Sequence, residues 1–325
     1  MEALPNFRLH RPATLAEAVS ILAEVPGARP LAGGTDLIVN IRRGLVDAPV
    51  LVDLGAVAEL GAMEAGAAGV RIGAGVSLSD LAAEPTVARD YPAIAEAAAA
   101  VAGATHRNAG TVGGNLCLDT RCIYYNQSDW WRRSNDFCLK YRGETCHVAP
   151  KSERCFAAYS GDLAPALLIH DATVEIAGPD GTRRMPLAEL YTGDGIDYLS
   201  LRPGEVLARV HVPPGRAGLP QAYAKSRVRG AIDFPLAGLA VSLRMAGGGI
   251  GELRAALTAT DMRPFLLAGT EALAGQPAEE DTARTFGELA REQASPMGTT
   301  TVKPWYRRRV ASALARRLLM QLARK

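Results

Sequence analysis

The segment Ala28-Arg29-Pro30-Leu31-Ala32-Gly33-Gly34-Thr35-Asp36 joins a short strand pattern to a helix pattern that begins at Leu37. Glycines at such a junction let backbone N–H groups converge, and the helix dipole adds to the attraction for an anion. The segment therefore predicts a loop that binds a phosphate or pyrophosphate, or else an ordinary turn between a strand and a helix. It does not match the dinucleotide fingerprint G-x-G-x-x-G, and no acidic residue follows at the spacing of that motif.

A second glycine-dense stretch, Thr111-Val112-Gly113-Gly114-Asn115, lies about 75 residues further along, in a polar segment over 105–115 that we expect to be a loop. Two loops of this kind can hold the two ends of one dinucleotide. Around them the chain alternates helix and strand patterns. Thr14 is expected to cap a helix over 15–22, paired strands are expected over 234–245 and 252–260, and helices near 264–275 and 304–324.

Composition limits the class of protein. The chain has 325 residues, 48 % hydrophobic and 22 % charged, with a formal net charge of +2. These values are typical of a globular protein of two or three domains and argue against a nucleic-acid binder. The sequence begins without the apolar core of a signal peptide, and no stretch is apolar enough to span a membrane. We therefore expect a cytoplasmic protein.

All five cysteines fall between Cys117 and Cys155, in a stretch that is also rich in aromatic residues. Such clustering without a secretion signal favours metal binding or redox chemistry over a disulfide framework. The segment over 118–158 therefore looks like an insertion with its own small core. Four of the cysteines have open spacing: Cys122, Cys138, Cys146 and Cys155.

Spacing alone leaves three readings of these cysteines open. Structural zinc sites usually contain a C-x2–4-C pair, which is missing here. An iron–sulfur cluster accepts dispersed thiolates, although the compact ferredoxin run is also missing. The third reading is four unligated thiols. Cys117 directly follows the second glycine stretch, and its simplest role is that of a small buried residue.

Several motifs in chain order resemble the FAD-binding subunits of the xanthine oxidase family of molybdenum hydroxylases. They are Ala-Gly-Gly-Thr-Asp-Leu at 32–37, Gly-Thr-Val-Gly-Gly-Asn at 110–115, Gly-Asp-Leu-Ala-Pro-Ala-Leu-Leu at 161–168, Ala-Lys-Ser-Arg at 224–227 and Ala-Ile-Asp at 231–233. The resemblance covers essentially the whole chain. It implies an α+β protein with a two-subdomain FAD-binding fold of the PCMH (vanillyl-alcohol-oxidase-like) type and a C-terminal α+β domain of the CO dehydrogenase flavoprotein type. The implied domains are residues 1–57, residues 58–216 with the insertion over 118–158, and residues 217–325.

The chain departs from the usual family pattern between Asn115 and Asp162, which are 47 positions apart instead of about ten. The extra residues are the cysteine-rich insertion. In this respect the chain is similar to the β subunits of 4-hydroxybenzoyl-CoA reductases, whose insertion carries a 4Fe–4S cluster on four cysteines. The resemblance implies that Cys122, Cys138, Cys146 and Cys155 hold such a cluster.

The resemblance also implies which residues hold FAD. The first loop would wrap the pyrophosphate with backbone donors, and the second would hold the flavin side, with side-chain hydrogen bonds from Thr111 and Asn115. Asp162 would bind a ribose or ribityl hydroxyl, and Lys225 would place a positive charge near the cofactor; the alternative for each is a surface salt bridge or a turn residue. Val101 and Leu207 would be apolar walls, or core residues. The full implied set is Pro30, Leu31, Ala32, Gly33, Gly34, Thr35, Asp36, Val101, Thr111, Val112, Gly113, Gly114, Asn115, Asp162, Leu207 and Lys225.

By the same resemblance, substrate chemistry takes place on a partner subunit with the molybdenum cofactor, and a second partner carries two 2Fe–2S clusters. The assembly would be a dimer of heterotrimers that acts in anaerobic breakdown of aromatic compounds. Electrons would pass from ferredoxin through the 4Fe–4S cluster and FAD to the 2Fe–2S clusters and molybdenum, for reductive dehydroxylation to benzoyl-CoA. An acidic ferredoxin would be attracted by basic residues in or near the insertion, namely Arg132, Arg133, Lys140, Arg142, Lys151 and Arg154, or else these form a solvated face that Asp129, Asp136, Glu144 and Glu153 partly neutralise. Two alternatives remain: the FAD subunit of another aromatic reductase or dehydrogenase of the family, and a zinc-stapled nucleotide-binding scaffold without a redox role.

Overall fold

Three sheets, each in a different part of the chain, organise the structure, a computed structural model in which residues 3–325 are described. Each sheet lies within one of the three segments that the sequence analysis delimits. The exact domain boundaries stay a prediction.

The N-terminal sheet is parallel, with the strand order β1-β3-β2. Helix α1 begins as predicted, because Thr14 Oγ1 accepts a hydrogen bond from the backbone N–H of Glu17 at 3.2 Å. Ile41, Ala48 and Leu51 form the centre of a small core under this sheet. The elements are β1 (Arg8–His10), α1 (Leu15–Glu24), β2 (Ala28–Leu31), α2 (Leu37–Arg42) and β3 (Val50–Asp53).

The middle sheet is antiparallel and packs against a helical layer around the largest core of the chain. The strand order is β4-β5-β8-β6-β7. The elements are α3 (Ala58–Gly61), β4 (Met63–Gly66), β5 (Gly69–Gly73), α4 (Leu78–Ala83), α5 (Pro85–Asp90), α6 (Pro92–Ala100), α7 (Ala104–Ala109), α8 (Val112–Leu116), α9 (Asp129–Ser134), α10 (Leu163–Leu168), β6 (Thr173–Gly178), β7 (Gly181–Pro186) and β8 (Val206–Val212).

The prediction of an irregular loop over 105–115 was wrong, because α7 and α8 occupy most of it. Thr111 Oγ1 caps α8 by accepting a hydrogen bond from the backbone N–H of Gly114 at 3.0 Å. Gly113 serves close packing: a Cβ at this position would lie 2.8 Å from Cβ of Ala74. The glycines in this segment therefore allow backbones to approach one another, and they do not prevent helix formation.

The C-terminal sheet has the strand order β12-β11-β10-β9 and is antiparallel. The predicted pairing of two strands is confirmed, with Gly247 and Gly248 at positive φ values of 59° and 83° in the turn. The elements are β9 (Gln221–Ser226), β10 (Ala237–Ala246), β11 (Gly249–Thr258), β12 (Phe265–Leu266), α11 (Glu280–Gln293) and α12 (Pro304–Leu322).

The helix predicted near 264–275 was wrong. Strand β12 pairs with β11 there, and a single 3-10 turn follows over 270–273. The helix of this region is α11, whose sequence is largely polar and buries a narrow stripe that includes Ala283, Phe286 and Ala290. Helix α12 was predicted correctly, and it packs on α11 and β10 with Leu314, Leu318, Leu319 and Leu322 buried. Within residues 3–325, no helix is long and apolar enough to cross a membrane.

Arg307 of α12 ties together four segments of the chain and is only 1 % exposed. Its guanidinium donates to the carbonyl oxygens of Leu236 (2.9 Å), Met297 (3.1 Å) and Ala259, and to Thr299 Oγ1 (3.1 Å). Burial lowers the pKa of Arg307 to about 10. These hydrogen bonds hold the start of α12 against the ends of β10 and β11.

Replacing Arg307 with Met is expected to lower the free energy of unfolding by about 3 kcal/mol, because several buried carbonyl groups lose their donors. Denaturation followed by far-UV circular dichroism measures the change. Arg317→Met, on the exposed side of the same helix, is the matched control and is expected to stay within about 0.5 kcal/mol of wild type. Equal destabilisation by the two substitutions would contradict this role for Arg307.

Candidate functional site

The two glycine loops meet through their backbones. Gly33 lies so close to the end of α7 that a Cβ built on it would stand 1.8 Å from the carbonyl oxygen of Ala109 and 3.0 Å from the backbone nitrogen of Gly110. Gly34 has a φ of 68°, which favours glycine. The chain therefore needs Gly33 for the approach of the two loops and Gly34 for the shape of the first one.

The first loop presents unused backbone donors. Within residues 3–325, no group accepts a hydrogen bond from the backbone N–H groups of Gly33, Gly34, Thr35 and Asp36. Four successive free N–H groups just before helix α2 form an arrangement that attracts phosphate oxygens. Pro30 and Leu31 belong to β2 and pair with Val52 and Asp53 of β3, which fixes the start of the loop. The loop therefore fits the pyrophosphate of a dinucleotide such as FAD.

The second loop differs, because the fold already uses most of its backbone donors. The N–H groups of Val112 and Gly113 bond to the carbonyl oxygens of Val76 and Ala74. Asn115 Oδ1 accepts a hydrogen bond from the backbone N–H of Leu163 at 3.0 Å, while its Nδ2 has no acceptor among the described residues. This loop can therefore offer the Thr111 backbone and the side chains of Thr111 and Asn115 to a ligand. It does not offer a series of free backbone N–H groups, as the first loop does.

Asp162 and Lys225 form a buried ion pair with each other. The two side chains are 4 % and 3 % exposed, and Lys225 Nζ lies 3.0 Å from Asp162 Oδ1. Tyr223 donates its hydroxyl hydrogen to Asp162 Oδ1 at 2.6 Å. Burial raises the pKa of Asp162 and lowers the pKa of Lys225, and each charge opposes the shift of the other. The pair joins the start of α10 to strand β9, and direct contact of either side chain with FAD stays a prediction.

The two apolar residues implied by resemblance are in different environments. Leu207 of β8 is 4 % exposed and lies in the middle core, opposite Ile176 of β6. Val101 follows α6, is partly buried against the same core, and accepts a hydrogen bond at its carbonyl oxygen from Arg107. Val101 therefore has surface left for a ligand, whereas core packing accounts for Leu207 without one.

Arg121 connects the first glycine loop to the cysteine-rich insertion. Its guanidinium forms an ion pair with Asp36 and lies 4.9 Å from the centre of the Phe234 ring. Backbone hydrogen bonds in both directions join Arg121 to Ala158, which closes the base of the insertion. Arg121, Cys122 and Phe234 line one cavity of about 200 Å³, together with Asp233 and Arg307. The cavity thus lies between the base of the insertion and the C-terminal domain.

The four cysteines implied as ligands come together in the structure. Each is 5–8 % exposed, and all four line one small cavity, whereas Cys117 does not line it. The backbone N–H of Ala157 donates to Cys155 Sγ at 3.4 Å. Gly195 of the middle domain packs against the same sulfur, since a Cβ on Gly195 would lie 2.6 Å from it. The four thiols therefore surround one buried space.

Burial governs the chemistry of these thiols. It raises the pKa of Cys122 to about 12 and that of Cys155 to about 11, and it also raises the pKa of Cys138. Two influences partly offset this rise in pKa. Backbone N–H groups of neighbouring residues donate to the sulfur atoms of Cys122, Cys138 and Cys155, and the positive charge of Lys140 acts on Cys138 and Cys155. A metal centre makes buried thiols into thiolates, and hydrogen bonds to sulfur then help to set its potential.

The four cysteines offer only thiol groups as possible ligands. Within residues 3–325, no three or more His, Cys, Asp or Glu side chains are placed to hold one metal ion. His147 is engaged elsewhere, because its Nε2 bonds to the carbonyl oxygen of Phe137 and its ring stacks on Tyr124 at 5.0 Å. Thiolates are the usual ligands of iron–sulfur clusters, and cluster binding by these four cysteines stays a prediction.

Sequence reasoning missed the roles of Arg121 and Gly195, and its assignment of Lys140 and Arg132 to a surface for ferredoxin was wrong because both side chains are buried. Arg121 precedes a cysteine ligand candidate directly, and Lys140 follows Cys138 by two positions. Proximity to a cysteine was the only signal for these two. The sequence gave no signal for Gly195, because its role depends on a contact with Cys155, which lies 40 residues earlier in the chain.

Comparison with known proteins agrees with the two-part fold. Residues 5–215 match the family of FAD binding domains in molybdopterin dehydrogenases, and residues 221–322 match the CO dehydrogenase flavoprotein C-terminal domain. The aldehyde oxidoreductase FAD-binding subunit PaoB of Escherichia coli is 33 % identical over 84 % of this chain and 87 % of its own.

Two solved structures show the same fold over nearly the whole length. A chain of the Cu,Mo-CO dehydrogenase in its cyanide-inactivated form is 25 % identical with a TM-score of 0.81, and 99 % of each chain is covered. A chain of quinoline 2-oxidoreductase from Pseudomonas putida 86 is 28 % identical with a TM-score of 0.80, covering 99 % of this chain and 98 % of the other. The expected fold class is therefore confirmed, and the chain belongs to the FAD-binding subunits of the xanthine oxidase/CO dehydrogenase family of molybdenum hydroxylases.

Proposed function

We propose that this chain is the electron-transfer subunit of a 4-hydroxybenzoyl-CoA reductase and carries both FAD and a 4Fe–4S cluster. In this proposal electrons enter from a ferredoxin and pass through the cluster and FAD. They continue to 2Fe–2S clusters and a molybdenum cofactor on two partner subunits, where an aromatic hydroxyl group is removed to give benzoyl-CoA. The assembly is a cytoplasmic dimer of heterotrimers.

Family membership carries the FAD part of the proposal. The free N–H groups of Gly33 to Asp36 bind the pyrophosphate, and Thr111 and Asn115 orient the flavin end. Bound FAD supplies the exchange between one-electron and two-electron carriers. The Asp162–Lys225 pair fixes strand β9 against α10 and so holds the C-terminal domain over the cofactor.

The insertion carries the more specific part of the proposal. The observation that supports this part most strongly is the burial of Cys122, Cys138, Cys146 and Cys155 around one space. The names of the relatives quoted above mention FAD, aldehyde, CO and quinoline, and none mentions an iron–sulfur centre on the FAD subunit. The cluster and the reductase activity therefore rest on the cysteines and on the resemblance of the insertion.

The insertion also presents charge suited to an acidic ferredoxin. Its basic residues include Arg133, Arg142, Lys151 and Arg154, all of which are exposed. Asp129 pairs with Arg133 at 3.1 Å, and Asp136, Glu144 and Glu153 are also exposed, so acidic residues offset much of the positive charge of this surface. Such a surface raises the association rate of an acidic partner more than it raises the final affinity.

Anaerobically purified protein is expected to contain about four iron atoms per chain together with FAD. In Cys138→Ser, iron is expected to be lost because one thiolate ligand is missing, while FAD is retained. Cys117→Ala, which removes a cysteine outside the cavity, is expected to keep both. Iron and flavin assays with a visible spectrum measure this. Zinc in place of iron would keep the fold and remove the proposed role of the insertion.

Gly33→Ala is expected to weaken FAD binding by about tenfold or more. The added methyl group forces the two glycine loops apart, at a cost of about 1–3 kcal/mol, and 1.4 kcal/mol corresponds to a factor of ten in Kd. Gly61→Ala is the control, because nothing lies within 4 Å of its added Cβ. Flavin fluorescence titration gives both affinities. Unchanged iron content in Gly33→Ala would show that the loss is local, and an unchanged FAD affinity would contradict the role of the loops.

Loss of the cluster is expected to block electron entry from ferredoxin and leave the flavin chemically reducible. In the assembled holoenzyme, Cys138→Ser should therefore lose flavin reduction by reduced ferredoxin, while dithionite still bleaches the flavin band. Stopped-flow absorbance follows both reactions. Flavin reduction by ferredoxin at the wild-type rate would show that electrons enter by another route.

A further inference from the structure

Lys140 is a charged side chain buried inside the insertion. Its side chain is 6 % exposed, and its Nζ donates to Asp119 Oδ1 at 2.7 Å, Thr120 Oγ1 at 2.5 Å and the carbonyl oxygen of Gly195 at 2.6 Å. An ammonium group has three hydrogens, so these three acceptors use all of them. The charge is therefore fixed in one place.

Two aromatic rings complete the surroundings of this charge. Nζ lies 5.0 Å from the centre of the Tyr125 ring and 5.2 Å from that of Tyr198. Aromatic rings attract a cation and exclude water from it. Lys140 is thus enclosed much as a cationic ligand is enclosed in a binding site. Its partners come from residues 119–125 and from residues 195–198.

The ammonium group lies next to Tyr125, one of the residues that line the cysteine cavity. Lys140 lines the same cavity as Cys122, Cys138, Cys146 and Cys155. The carbonyl group that it binds belongs to Gly195, the residue that packs on Cys155 Sγ. A buried charge acts through a low dielectric and is weakly screened by salt, unlike the exposed arginines of the insertion.

We propose that Lys140 is a tuning residue that makes the four-cysteine centre easier to reduce. This inference rests on the proposed 4Fe–4S cluster. Reduction adds one electron and hence one negative charge to the buried centre, and the fixed ammonium group near it stabilises that charge. Asp119 opposes part of this effect, so the two side chains together set the midpoint potential.

Lys140 still acts electrostatically on the four-cysteine centre although it is paired with Asp119. Lys140 Nζ is bonded to the carbonyl group of Gly195, the residue that packs on Cys155 Sγ, and the positive charge of Lys140 acts on the thiols of Cys138 and Cys155. Asp119 has a side chain that is 14 % exposed and is the better solvated of the two. Removing the charge of Lys140 and removing the charge of Asp119 therefore shift the midpoint potential in opposite directions.

An EPR-monitored redox titration of the anaerobically purified full chain tests the proposal, with iron content measured on each sample. Lys140→Met is expected to shift the midpoint potential to a more negative value, and Asp119→Asn to a more positive one. Lys140→Arg is expected to stay nearer to wild type than Lys140→Met. Lys151→Met, which removes an exposed positive charge of the same insertion, is expected to leave the potential unchanged.

The outcomes separate this inference from the function on which it rests. Wild-type protein without iron overturns the proposed function itself. Wild-type and Lys140→Met proteins with four iron atoms and equal potentials overturn the tuning role alone. If Lys140→Met loses its iron, Asp119→Asn decides, and a shift to a negative value or no shift overturns the proposal. Shifts of the same sign in both variants indicate a merely structural role.

Discussion

The backbone contact between Gly33 and Ala109 is the constraint on which the candidate site depends. It brings a loop of the N-terminal parallel sheet against a helix end of the middle domain, at a distance that excludes any side chain at position 33. Four free N–H groups lie in that loop. The loop also supplies Asp36, whose ion pair with Arg121 reaches the base of the insertion. One close approach therefore aligns the two glycine loops with the cysteine-rich segment.

A second buried group of polar side chains joins the middle and C-terminal domains. Asp162 precedes α10, while Tyr223 and Lys225 lie on β9, and all three are nearly inaccessible to solvent. Breaking such a pair leaves an uncompensated buried charge, which is why buried pairs fix geometry more than they add stability. The neighbouring Asn115–Leu163 hydrogen bond links the second glycine loop to the same helix. The second glycine loop and the C-terminal domain are thus held in one arrangement.

All three parts of the chain position the insertion. Arg132, 1 % exposed, donates to the carbonyl oxygens of Arg43 and Gly44 in the N-terminal segment. The backbone N–H of Ile123 bonds to the carbonyl oxygen of Thr299, and Gly195 packs against Cys155. A segment of this size has too little core to fix its own geometry. The cysteine cavity therefore owes its shape to the surrounding domains as much as to the insertion itself.

The sequence by itself determined the features that depend on local pattern and composition. These include the capped helix α1, the β10–β11 pair, the two glycine motifs and the four cysteines, and family resemblance extended them to the correct fold class. Local sequence pattern did not predict α11, because a helix that buries only a narrow stripe has a largely polar sequence. It also did not predict α7 and α8, because the glycines of that segment serve close packing and do not mark a loop. Only the tertiary structure decided that Asp162 pairs with Lys225, that Arg121 meets Asp36, and that Lys140 is buried against Asp119 and Gly195. These partners lie on separate segments, and burial selects them, since a buried charge or donor must find its partner wherever the fold places one.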